Sequence, residues 1–321
     1  MRQRIVKSTL VLGLLWLGAG CWHPQIHSVI GHIAQTQLQQ KHPETLKQIF
    51  EMLAPTSQFF AERQDSLMEA AAMPNEISKQ YFDFMDKTRF SGTPIVYWKD
   101  RASEVVIPDP PFPFDLAASM NKAQLIVKQA LLAGEDVAVK PGLIDSLMLR
   151  YLLNYAGNLH HPLDNSSFYS KTLFEGALVE GDSNGKKIPV QDVLNRNISS
   201  LHSLFDHAFG VFRLEKARFP YTEKTVVLVK AQAAYQVAKY PESHFEKNVD
   251  NLNHLDWAEE SLNIASEFAY SQVELFPVLN PEYIITGRRI CEERITLAGY
   301  RLYRLLVELF GSKLKDKNLL E

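Results

Sequence analysis

Apolar residues along this chain recur mostly at intervals of three and four, the spacing that lines one face of a helix. Ile26, Val29, Ile30, Ile33 and Ala34 form one such stripe. Ala123, Ile126, Val127, Ala130 and Leu131 form another, and Leu149, Leu152, Leu153 and Ala156 a third. From Leu297 to Leu309 apolar residues cover most of the circumference, broken by Arg301, Arg304 and Glu308, so a long, largely buried helix is expected there. Core packing is the simplest reading of each stripe, and together they predict an all-α chain. Two stretches interrupt the pattern. Ile107 to Phe114 carries Pro108, Pro110, Pro111 and Pro113, which exclude a helix interior and favour an extended loop, with Phe112 and Phe114 interleaved. Gly176 to Gln191 contains Gly181-Asp182-Ser183-Asn184-Gly185, a turn or hairpin signal. No internal repeat, linker or low-complexity tract divides the chain, so one domain is expected.

The N-terminus reads differently. Arg2, Arg4 and Lys7 precede an apolar run from Thr9 to Leu17, too short to span a bilayer and suited to a signal peptide over residues 1–21. Two processing outcomes follow. Cleavage after Ala19-Gly20-Cys21 leaves Trp22 first, whereas Leu17-Gly18-Ala19-Gly20-Cys21 read as an imperfect lipobox leaves a lipid on Cys21. Either way the chain is expected to be exported: periplasmic, envelope-anchored or secreted. Residues 22–321 are then the folded domain, long enough for a sizeable core. No later run reaches about 18 apolar residues, so no second membrane segment is expected. Cys21 and Cys291 are the only cysteines, which argues against an internal disulfide. A net charge of −3 makes no electrostatic case for a nucleic-acid surface, although a basic groove can hide in a neutral average.

Metal chemistry needs clustered His, Asp and Glu, so the ten histidines are the place to search. Four regions stand out. The first is Trp22-His23-Pro24-Gln25-Ile26-His27, running into the first apolar stripe. The second is Leu153-Asn154-Tyr155-Ala156-Gly157-Asn158-Leu159-His160-His161-Pro162-Leu163-Asp164. The third is Leu201-His202-Ser203-Leu204-Phe205-Asp206, where His202 and Asp206 are spaced to share a helix face. The fourth combines Trp257-Ala258-Glu259-Glu260-Ser261 with Leu297-Ala298-Gly299-Tyr300-Arg301-Leu302. In order and spacing they resemble the zinc-dependent single-strand-specific nucleases of the S-one/P-one type, in the same superfamily as bacterial zinc-dependent phospholipase C. The resemblance runs from Trp22 to about Leu309. It implies a single-domain helical bundle that holds three zinc ions, one of them on the mature N-terminal tryptophan.

The family's ligands are only partly present. Trp22 and His27 match. In the second region the family reads His-Phe-Val-Gly-Asp-Ile-His-Gln-Pro-Leu-His. Gly157, His160, Pro162 and Leu163 are kept, but the three ligands fall on Asn154, Asn158 and Asp164. Met73-Pro74-Asn75 puts Asn75 where the family has Asp, and Val96-Tyr97-Trp98-Lys99 aligns Val96 with a family His. The family's Asp-x-Gly-Gly-Asn is altered to Asp182-Ser183-Asn184-Gly185-Lys186. The first metal would therefore face Asn75, Val96, Asn154 and Asn158, none a good zinc ligand, and is expected to be lost. The second keeps Trp22 and His27 without an anionic bridge. The third keeps Asp164, His202 and Asp206, a harder set that tolerates manganese or magnesium as well as zinc. At most one divalent ion is expected, or none. Asn keeps the shape and hydrogen bonding of Asp without its charge, so amides spare an empty site the repulsion of clustered carboxylates.

The family's reaction is phosphodiester hydrolysis by a metal-paired water. Without the pair, His160 and His161 are the candidate bases; His160 matches a family position and reads as structural, while His161 replaces a Gln. Three functions stay open. One is an active nuclease, or a phospholipase C-like phosphoesterase, with a reduced metal set. Another is an inactive relative that binds single-stranded nucleic acid, phospholipid or another phosphate-bearing ligand. The last is an envelope lipoprotein.

Overall fold

The computed structural model describes residues 22–57, 59–60, 66–80, 87–107, 115–136, 140–191, 193–194, 198–214 and 219–311. The signal segment and lipobox, and the proline loop with Phe112 and Phe114, lie outside the described residues. The all-α expectation holds. Helices α1 (Pro24–Lys41), α2 (Pro43–Ser57), α3 (Leu67–Gln80), α4 (Leu116–Asp136), α5 (Leu143–Asn158), α6 (Leu201–Asp206), α7 (Glu223–Lys239), α8 (His254–Ile264) and α9 (Pro281–Gly311) carry the fold. Among the described residues no helix is long and apolar enough to cross a membrane.

Helix α1 is the spine. Its start is set by Pro24 in the first turn, where no N–H is needed, and by His23 Nδ1, which accepts the Gln25 N–H at 3.3 Å. Ile26, Val29, Ile30, Ile33 and Ala34 are all buried, and α1 packs on α3, α9 and α7 through them. Full burial of a Val or Ile side chain contributes about 1.5–3 kcal/mol of transfer free energy, so this stripe alone explains why α1 sits at the centre. Helix α5 is buried on every side from Leu149 to Asn158, which is unusual for a helix holding Arg150, Asn154 and Asn158. Its polar groups must therefore find partners inside the protein.

Two departures concern α9 and the loops. Helix α9 begins at Pro281, well before the expected Leu297, because its first turns carry too many polar residues for an apolar stripe. Arg301 does not break its buried face. The side chain is 0% exposed and paired to Glu260 of α8 at 2.7 Å. The long side chain lies within the core because its charge is matched there. A short parallel pair, β1 (Thr93–Val96) with β2 (Ser166–Tyr169), sets Thr93 opposite Ser166 and Val96 opposite Tyr169. The 176–191 stretch is a chain of turns tied by single bridges, Ser170 to Leu178 and Pro189 to Ser200, rather than a regular hairpin.

Candidate functional site

The site forms where the start of α1, the ends of α3 and α5, and α6 meet. Trp22 is fully buried, its indole N–H donating to the Gly157 carbonyl at 3.0 Å. His27, one turn into α1, lies against Gly157. A Cβ there would come within 2.6 Å of His27 Nδ1, so only glycine lets the two helices approach this closely. Neither ring nitrogen of His27 has a satisfactory hydrogen bond. Burial, then the nearby Arg89 charge, holds this imidazole neutral, well below the usual histidine range.

Asn154 and Asn158 are four apart on α5 and share a face, and Asn75 on α3 points at the same place. The three amides bond to one another in a relay. Asn158 Nδ2 donates to Asn154 Oδ1 at 3.2 Å, and Asn154 Nδ2 donates to Asn75 Oδ1 at 2.8 Å and to the Ala71 carbonyl at 2.9 Å. Asn75 Nδ2 then donates to the Trp22 carbonyl at 3.0 Å. A residue absent from the sequence reasoning completes the relay: Arg89, 1% exposed, donates from Nη1 to Asn75 Oδ1 at 3.1 Å. Val96 is not brought here. The strand carries it, half-buried, to a position opposite Tyr169. Nothing in the run Lys87-Thr88-Arg89 marks the arginine as buried; only the fold shows that a guanidinium stands beside the amides.

The second half of the site lies one turn beyond α5. Pro162–Asn165 form a 3₁₀ turn capped by His161, whose Nδ1 accepts the Asp164 N–H at 3.2 Å. Helix α6 starts at Ser200, which caps it by accepting the Ser203 N–H, and this places His202 and Asp206 on one face. His202 Nδ1 lies 2.5 Å from the Asn184 carbonyl. A carbonyl can only accept, so Nδ1 carries the proton and Nε2 presents its lone pair. The loop that delivers Asn184 is fixed by buried Asp182, which accepts the Phe168 N–H and the Tyr270 hydroxyl, both at 2.9 Å. Burial pushes the Asp182 carboxyl up to about 6, against those hydrogen bonds. Gly185 has φ +85 and passes so close that a Cβ would lie 3.1 Å from the His202 nitrogen.

Asp164, His161, His202 and Asp206 converge. His202 Nε2 is 3.3 Å from Asp206 Oδ1 and 4.0 Å from Asp164 Oδ1. His161 Nε2 is 3.3 Å from Asp206 Oδ1, and its Nδ1 is 3.5 Å from Asp164 Oδ1. Both Asp164 oxygens and both Nε2 atoms are buried without a hydrogen bond. Burial drives the His202 ring down to about 4, although the Asp206 charge opposes it, and drives His161 down to about 3. Burial, then Asp206, raises Asp164 well above the carboxylate range, while Arg89 and Lys186 pull it back. Lys186 adds an ammonium 4.6 Å above the Phe90 ring. Asp164, His202 Nε2 and Asp206 present acceptors, while His161, accepting at Nδ1, carries its ring proton on Nε2; among the described residues no group of three or more His, Cys, Asp or Glu side chains stands arranged to hold a metal ion.

His160 belongs elsewhere. Its Nδ1–H donates to the Ala156 carbonyl at 2.7 Å, and its Nε2 accepts from Arg301 at 3.0 Å. Both nitrogens are used, and Arg301 and Arg294 are in turn held by Glu260 at 2.7 and 2.6 Å.

The arrangement defines a class: an all-α protein whose buried histidine–carboxylate centre is assembled around the Trp22 end of its first helix. The family model for S1/P1 Nuclease matches residues 22–311, and the chain belongs to that family. Endonuclease 5 of Arabidopsis thaliana is 26% identical to it over 172 residues, 52% of each chain. The chain thus spans about half the length of that curated relative.

Proposed function

We propose that this chain is a phosphodiester hydrolase of the nucleic-acid-cleaving kind that works with one divalent ion instead of three, and turns over correspondingly slowly. The observation that carries this reading is the His202 lone pair facing Asp206 Oδ1 at 3.3 Å. Two acceptors pressed together in a dry site repel unless a cation lies between them. Asp164, His202 and Asp206 fit such an ion, zinc or the harder manganese or magnesium. Asn75, Asn154 and Asn158 do not fit a zinc pair. Apart from Asn158 Oδ1, their amide oxygens already accept from each other and from Arg89, and neutral amides supply no charge to hold a metal. Trp22 and His27 do not fit one either, since the Trp22 carbonyl is already taken by Asn75.

An ion at the remaining position supplies Lewis acidity to a phosphoryl oxygen. The chain's own residues supply the rest. Arg89 and Lys186 bring fixed positive charge to the centre, where it favours a phosphate group. His161 stays neutral at pH 7, and His160, bonded at both nitrogens, is not available as a base. Single-stranded nucleic acid is the substrate expected from the family, and phosphatidylcholine the phospholipase C-like alternative. Export past the cytoplasmic membrane, with cleavage before Trp22 or a lipid on Cys21, fits the N-terminal sequence. A second reading, a phosphate-binding relative without turnover, is favoured by the amides' bonding to one another instead of standing open to a metal.

The test is metal content of protein purified without chelator, followed by hydrolysis of single-stranded DNA, RNA and phosphatidylcholine with added zinc or manganese. One equivalent of metal with activity lost in His202→Ala supports the first reading. One equivalent with no hydrolysis of any substrate supports the second. Two or more equivalents overturn the one-ion count.

A further inference from the structure

His161 is the polar group of the centre that the three-ligand count leaves unused. Its Nε2 stands 3.3 Å from Asp206 Oδ1, the same separation His202 Nε2 keeps from that oxygen. Neither nitrogen is hydrogen-bonded. Nitrogen and oxygen ligands held 2.0–2.1 Å from a tetrahedral ion lie about 3.3 Å from one another. The two separations that meet at Asp206 Oδ1 are therefore each the length of one edge of a coordination tetrahedron. We propose that His161 Nε2 is a fourth ligand of the ion held by Asp164, His202 and Asp206, giving a centre of two imidazoles and two carboxylates. The inference rests on the one-ion reading above and adds a ligand to it.

The ring's surroundings permit this role. Coordination at Nε2 puts the imidazole proton on Nδ1. The Asp164 N–H now reaches both His161 Nδ1 and the His161 carbonyl, each at 3.2 Å, so it keeps an acceptor when Nδ1 is protonated. The Nδ1 proton then faces Asp164 Oδ1 at 3.5 Å, an oxygen with no hydrogen bond of its own. That oxygen gives the Nδ1 proton an acceptor nearby. The ring plane is held by the edge of Trp22, with centroids 4.4 Å apart at 69°. Two imidazoles shift the preference from magnesium toward zinc or cobalt.

Cobalt(II) loaded into the full chain gives a readout independent of turnover. Imidazole N–H protons of cobalt-bound histidines appear as shifted, solvent-exchangeable proton resonances. Two such signals are expected for the wild type and one for His161→Gln, with cobalt affinity falling by more than about 100-fold, beyond what loss of an orienting partner alone produces. His202→Ala, in parallel, should remove the other signal. A single signal in the wild type overturns the proposal while leaving the ion in place, as does unchanged affinity in His161→Gln. A wild-type protein that takes up no cobalt overturns the one-ion reading and the fourth ligand together.

Discussion

Replacing Arg89 with methionine tests whether a guanidinium holds together the amide relay of Asn75, Asn154 and Asn158. Methionine keeps most of the length and apolar volume, so the change removes the charge and its hydrogen bonds with little loss of packing. Asn75 Oδ1 would keep only the Asn154 amide as donor, and Asp164 would lose one of the two cations that pull its carboxyl down. A hydrogen bond to a charged group contributes about 1.5–3 kcal/mol, and the desolvation of the guanidinium, recovered on substitution, offsets part of it, so a net loss of about 1–2 kcal/mol is expected. With an m-value of about 3 kcal/mol/M, that lowers the urea midpoint by roughly 0.3–0.7 M. Both proteins are measured in EDTA, so that an ion at Asp164, His202 and Asp206 adds nothing. Arg89→Lys should fall between them, because an ammonium restores charge without the planar donor set. A midpoint shift below about 0.2 M, equivalent to roughly 0.5 kcal/mol at that m-value, would refute the idea that Arg89 anchors the amide relay.

Three other outcomes follow from single sites. Glu260→Gln leaves Arg294 and Arg301 buried without a counter-charge and should cost about 2–3 kcal/mol by urea denaturation, less than a fully dry pair because the Glu260 side chain is 31% exposed. The same carboxyl gives a pH signature. Burial raises it, the two arginines outweigh burial, and the folded value ends below the ordinary one. Its stabilisation is therefore present above the ordinary carboxylate range and lost as pH falls through the folded value, a loss Glu260→Gln should not show. His254, brought down to about 4 by burial, works through protonation of the unfolded state. Between pH 7 and 5 the unfolded chain binds more protons, so the wild type should lose on the order of 2 kcal/mol that His254→Gln keeps. Equal urea midpoint shifts for the two proteins across that range would refute the assignment. Gly157→Ala drives a Cβ into the His27 ring and should destabilise by about 1–3 kcal/mol, with α1 and α5 forced apart. A crystal structure of that variant with the two helices unmoved would contradict the close-approach argument.

The legible parts of this centre were those written as local spacing. His202 and Asp206 are four apart, and a helix capped at Ser200 puts them together whatever surrounds it. Asn154 and Asn158 are likewise paired by α5, whereas the close approach at Gly157 between them is seen only in the fold. Arg89 and Val96 show where such reasoning fails. Both lie in a loop and strand segment without periodicity, so aligning them to a motif depends on counting through irregular chain. The count placed Val96 at a ligand position, while the strand pairing with β2 carries it away and leaves Arg89 beside Asn75. Arg301 failed for another reason: a charged residue in an apolar stripe looks like a break until its partner, far away in sequence, is seen.

By itself, then, the sequence determined the helical bundle, its family, and the amides at Asn75, Asn154 and Asn158, because periodicity and residue identity are properties of short segments. Only the tertiary structure decided which charges stand beside those amides. Arg89 joins the amides across loops that no local pattern links, and His161 and Asp164 meet His202 and Asp206 from a different part of the chain. Electrostatic balance in a dry interior depends on distance in space, and a linear pattern does not contain that distance.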